Sequence, residues 1–272
     1  MIIVHSGSPG ALLKAAMLSR LCKGICLHKK EFASTLFNEN KIIDCDAISL
    51  KDIRERYEER CAQSCGFLKW VNSKKAGHLA ESVFYASRYD APDKYSLILK
   101  VLSQALEHGP DYVLSKVSKD ARKMFNRSRR VCMEAHRANG FIRLTPVENA
   151  NNRFMVGKAD FKHDIADLVL HYFSSRHRGW KIYLITGNNL QAGNTCRPTA
   201  FIEQTAYYLE SGAVKTTSLA NLPFDFPEDE FDKLWKCYYE SQYIEGRKNL
   251  ALARKHLPQK YWTWVPEGNL LK

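Results

Sequence analysis

Between Asp111 and Arg143 the apolar positions return at helical spacing, and this stretch organises the reading of the whole chain. Leu114, Val117, Ala121, Met124, Phe125, Ser128, Val131, Cys132 and Ala135 share one side of a helix of about 3.6 residues per turn. Lys116, Lys119, Lys123, Arg127, Arg130 and Arg137 share the other, and Arg122, Arg129 and His136 flank the apolar edge. The pattern predicts one rod, capped by Asn139-Gly140 and leaving as a strand from Phe141.

The same periodicities assign the remaining elements. Ile2–Val4 reads as a strand, Ser6–Gly10 as a turn, and Ala11–Leu21 as a helix capped by Ser8. Ile42-Ile43 is a short strand, Ser49–Cys61 a charged helix, Lys74–Gly77 a loop and His78–Arg88 a helix. Pro92-Asp93 opens the helix Lys94–Glu107, which His108-Gly109-Pro110 ends. Phe141–Val147 and Arg153–Val156 form a hairpin, Asp164–Arg176 a helix and Trp180–Thr186 a strand. Phe201–Leu209 and Ala213–Leu219 add edge strands, Asn221–Pro227 a linker, and Phe231–Tyr243 and Arg247–His256 helices. The expected class is α+β. A helical N-terminal half with a strand-turn-helix start precedes a mostly antiparallel sheet with a packed helix, then a helical C-terminal segment. Residues 1–92 and 93–272 are the expected regions, either separate or integrated in one globule.

Charge sharpens the picture. The 272 residues carry a formal charge of +12. Nine Lys/Arg against three Asp/Glu between 111 and 143 supply half of it. Charge so concentrated points to a polyanionic partner, and DNA is the expected one. A membrane is not expected, because the apolar side of this helix reads as core and no segment approaches spanning length. Met1–Val4 meets polar residues at once, so no secretory signal is read, and eight cysteines in such a chain suit reduced thiols of the cytoplasm.

The candidate interface comprises Lys116, Lys119, Arg122, Lys123, Arg127, Arg129, Arg130, Arg137 and Arg143, joined by Arg247, Lys260 and Tyr261 from the cation- and aromatic-rich tail. Glu134 and His136 are the candidate acid/base pair, with Arg137 as phosphate clamp. The same residues also suit a purely structural part: His136 and Arg137 at the negative end of a helix dipole, Glu134 paired with Arg130. Cys22-x3-Cys26 and Cys61-x3-Cys65 have a spacing zinc accepts, but on helices it only stacks two small apolar residues, so no cofactor is expected. Gly187–Thr195 lacks the lysine of a phosphate loop.

Three phrases, EAHRANGFIRL (Glu134–Leu144), LWKCYYESQYIEGRKNL (Leu234–Leu250) and LPQKYW (Leu257–Trp262), resemble the prokaryotic "probable DNA metabolism protein" family, whose main domain has no known function. The resemblance spans roughly Lys94–Pro266. Ser6 stands where that family usually has Asp, Tyr172 where it has His, and Leu250 departs from its Asn-Pro. The resemblance implies work in DNA metabolism, beside a radical SAM protein with a helix-hairpin-helix motif or a glycosylase-type partner. A DNA-binding accessory protein is therefore the favoured reading. An enzyme acting on damaged or modified DNA is the alternative, and an RNA-binding or protein-interaction module the third.

Overall fold

Ile2, Ile3, Val4 and His5 are all buried, which makes β1 (Ile2–His5) a strand covered on both faces, as parallel strands are. The computed structural model describes residues 1–33, 41–61, 67–149, 152–186, 205–224, 234, 237–238, 241, 249–257 and 259–262. β1 lies between β2 (Ile25–His28) and β3 (Ile42–Asp44), parallel to both. The connection from β1 to β2 is α1 (Pro9–Cys22), whose capping residue Ser8 accepts the Ala11 N–H at 3.3 Å. Lys23, at φ 50°, turns the chain out of α1.

The helices α2 (Lys29–Ala33), α3 (Leu50–Cys61), α4 (Lys74–Ser87), α5 (Lys94–His108), α6 (Pro110–Leu114) and α7 (Lys119–Phe141) follow. Ile3, Leu12 and Met17 meet Ile53 and Tyr57 of α3, Leu79 and Val83 of α4, and Leu97, Ile98, Val101 and Leu102 of α5 in one core. Ala121 and Met124 of α7 belong to it as well. Burying each such large side chain contributes on the order of 1.5–3 kcal/mol. The chain divides into two compact units, Met1–Met133 and Glu134–Lys272, the division falling within α7.

The second unit is built on a five-stranded sheet in the order β4 (Leu144–Asn149), β5 (Asn152–Ala159), β6 (Lys181–Thr186), β7 (Thr205–Glu210), β8 (Ala213–Ser218). β5 and β6 are parallel, joined through α8 (Ala166–Arg176), and the other neighbours are antiparallel. Strand alternation sorts the core by face. Phe154, Val156, Tyr183 and Ile185 cluster with Val147, Tyr208 and Phe224. Ile182 and Leu184 point the other way, and Ala166, Val169, Leu170 and Phe173 are the buried residues of α8, which packs on β6 and β7. The outer strands of this sheet among the described residues are β4, which contains Pro146, and β8, where exposed Lys215 pairs with Glu210. A short helix, α9 (Leu250–His256), is capped by Asn249. The fold is a mixed α+β one, with a helical N-terminal half and a mostly antiparallel sheet as expected.

Four local expectations are corrected. The rod from Asp111 is broken: Lys116 sits at φ 57°, and Ser118 starts α7 by accepting the Ala121 N–H at 3.0 Å. Asn139-Gly140 is not a cap, because the helix runs on through Phe141 and the Ile142 N–H still reaches Ala138 O at 3.0 Å. Residues 74–77 are the first turn of α4 rather than a loop. Cys22 and Cys26 do not share a helix: Cys22 closes α1 and Cys26 lies on β2. Gly187–Thr195 and most of Phe231–Tyr243 lie outside the described residues.

Gly157 marks the tightest approach in the sheet. A Cβ there would stand 2.8 Å from Ile142 Cγ2 and Leu144 Cδ2 and 3.1 Å from the Arg143 carbonyl. Gly157→Ala is expected to lower stability by about 1–3 kcal/mol, since the Ile142 and Leu144 side chains must shift and the Arg143 carbonyl is also close; urea denaturation measures it.

Candidate functional site

A helix buries one side at the cost of turning the other outward, and α7 does this with its cations. Ala121, Met124, Ser128 and Val131 are buried. On the opposite side, rows spaced by four residues place Lys119, Lys123 and Arg127 beside Arg122, Asn126 and Arg130. These six and Tyr89 line a concavity of about 430 Å³ in the first unit. Arg130 Nη1 donates to the Tyr89 hydroxyl at 3.3 Å, and the Arg127 guanidinium lies 5.0 Å from the centre of the Tyr89 ring.

One carboxylate enters this array. Asp93, next to the N-terminus of α5, takes Lys123 Nζ at 2.9 Å on one oxygen and Arg127 Nη2 at 2.7 Å on the other. Hydrogen bonds from Lys123 and then Arg127 pull its carboxyl down to about 2. Arg127 is the buried partner, with 11% of its side chain exposed, so Asp93 fixes its guanidinium in place. Lys119, Arg122, Lys123 and Arg130 remain exposed. The arrangement suits a phosphate-bearing ligand: several cations converge, and one arginine is already oriented.

Of the twelve residues expected at the interface, Lys119, Arg122, Lys123, Arg127 and Arg130 come together in the concavity. Lys116 stands at the break before α7 with its ammonium 5.4 Å from the centre of the Phe125 ring. Arg129 and Arg137 are exposed without lining the concavity, and Arg143 donates to Gly140 O at 3.2 Å. Tyr261 is wholly buried, its ring centre 5.0 Å from that of Phe141, so it presents no open face to a base. Arg247 and the side chain of Lys260 lie outside the described residues. Tyr89, Asn126 and Asp93 were not singled out by the sequence. Asn126 shared the four-residue row with Arg122 and Arg130, which was the available signal.

Glu134 and His136 are not brought together. Two residues apart on α7, they fall on different faces, with Glu134 5% exposed and His136 at the surface. The Glu134 carboxylate accepts the backbone N–H of Lys162 at 3.0 Å and of His163 at 3.2 Å, and His163 Nε2 lies 3.9 Å away. These contacts tie the segment before α8 to α7 and give Glu134 a structural task. Of the four cysteines considered for zinc, Cys22 and Cys26 are free thiols, while Cys65 and the side chain of Cys61 lie outside the described residues. Among the described residues no group of three or more His, Cys, Asp or Glu is placed to hold a metal ion, and no helix is long and apolar enough to cross a membrane.

Two predictions follow from the two carboxylates. Glu134→Gln leaves one buried N–H facing an amide NH2, and should lower stability by about 1–3 kcal/mol in chemical denaturation. Asp93 binds protons less readily folded than unfolded, so its contribution is present above its unfolded value of 3.8 and is lost as the pH falls toward 2. The loss of thermal stability over that window should be smaller in Asp93→Asn, as read by Tm against pH.

No curated protein and no solved structure matches the chain. A family model, described as a domain of unknown function (DUF4130), matches residues 92–267. That span covers the larger part of the chain, from the residue before Asp93 through α7 and the five-stranded sheet, and the chain belongs to the DUF4130 family.

Proposed function

We propose that this protein binds DNA through the concavity of Lys119, Arg122, Lys123, Arg127, Arg130 and Tyr89, as an accessory protein of DNA metabolism. The observation that carries the reading is the convergence of five cations on one helix face whose reverse is core. A solvated cationic helix would spread its charges without a concave surface or an oriented arginine. Phosphate contacts of this kind supply affinity and register with little base preference. Tyr89 adds a ring at the edge of the array, although its hydroxyl and face are both engaged by arginines. The resemblance to the DNA-metabolism family supports the choice of DNA over other polyanions, and a radical SAM or glycosylase-type protein as the partner. The burial of Glu134 weighs against the enzymatic alternative that needs Glu134 and His136 side by side.

The test is fluorescence anisotropy with a labelled DNA duplex and single strand across a range of salt concentrations, with RNA and a neutral polymer as competitors. Lys119→Ala combined with Arg122→Ala removes two exposed cations and should lower the slope of log K against log salt by about 2 while leaving Tm unchanged. Unchanged affinity and slope would overturn the reading. Preferential competition by RNA would move the protein to the RNA-binding class.

A further inference from the structure

A second concavity, of about 300 Å³, opens in the first unit beside His5, the last residue of β1, and Cys26 of β2, and Glu31, Pro92, Tyr95 and Leu99 also line it. His5 is wholly buried, and neither its Nδ1 nor its Nε2 has a hydrogen-bond partner. The neighbouring histidine differs. His28 accepts the Lys30 N–H at Nδ1 (3.2 Å) and donates from Nε2 to Ser6 O (3.1 Å), and its ring stacks on Tyr95 with centres 4.6 Å apart. His28 and Tyr95 each set an edge-on ring beside His5, at 5.7 and 5.2 Å, and so fix its orientation without satisfying it. A buried imidazole with two unmet nitrogens is costly unless something in the concavity meets them.

We propose that this pocket binds a small, uncharged, planar amide or lactam, whose N–H or carbonyl oxygen meets one ring nitrogen of His5. Burial, reinforced by repulsion from His28, lowers the pKa of His5 to about 4, so at neutral pH the ring has one donor and one acceptor. Glu31 is the charged side chain of the lining, which disfavours phosphates and carboxylates. Pro92, Leu99 and the ring of Tyr95 supply apolar walls for a flat ligand. The site is separate from the cationic concavity and does not depend on its reading.

The experiment is a titration of the full chain, labelled with 15N-histidine, with nicotinamide, 2-pyridone and inorganic phosphate, following the ring-nitrogen signals of His5 assigned by their absence in His5→Phe. Saturable movement with either amide and none with phosphate is expected. Leu99→Trp, which fills the space from the wall, should weaken that binding about tenfold or more. Static His5 signals with both amides, movement with phosphate to the same extent, or undiminished binding in Leu99→Trp would each overturn the assignment.

Discussion

Burial of Ala121 and Met124 in the core that also holds Leu97, Ile98 and Val101 decides the rest of the first unit's surface. With two residues on one side of α7 committed to that core, helical geometry turns Lys119, Arg122, Lys123 and Arg130 outward and leaves Arg127 half-buried against Asp93. Like charges crowded on one helix face repel, and Asp93 relieves part of that repulsion from a neighbouring helix. The carboxylate reduces the net charge of the array, yet it holds Arg127 in a single pose. A positive surface and an ordered one are obtained together.

Asp93 and Glu134 illustrate how burial assigns roles. Asp93 is 42% exposed and binds side-chain cations, whereas Glu134 is nearly inaccessible and binds backbone N–H groups. The first lies open to solvent beside the cations it holds. The second holds the Lys162 and His163 amides, and removing it would take away the acceptor of both. Chemistry that asks Glu134 to shuttle a proton to solvent is at odds with that position.

Much of the architecture was legible because its periods are clean. The strand-turn-helix opening, α5, the β4–β5 hairpin, α8 and β6 follow their apolar spacing closely. What failed failed for local reasons. A four-residue interval between Cys22 and Cys26 looked helical, although Lys23-Gly24 between them ends α1 and Ile25-Cys-Leu27 begins a strand. Periodicity ran straight through Ser115–Ser118, hiding the break that the capping power of Ser118 and the following Asp120 announces. Gly140 looked like a stop, but it does not adopt the positive φ of a helix-ending glycine, and α7 runs through it. The cationic face was visible from spacing alone. Its concavity was not, because Tyr89 and Asp93 come from chain some thirty residues earlier.

The outer strands of the five-stranded sheet have a further consequence. Pro146 removes a backbone donor from β4, and Lys215 places an ammonium on β8. Sheets left open at both sides invite another chain to continue the ladder, and a missing donor at one border with a hydrated charge at the other makes such continuation unfavourable. Among the described residues these two borders are thereby poor templates for a strand from another chain.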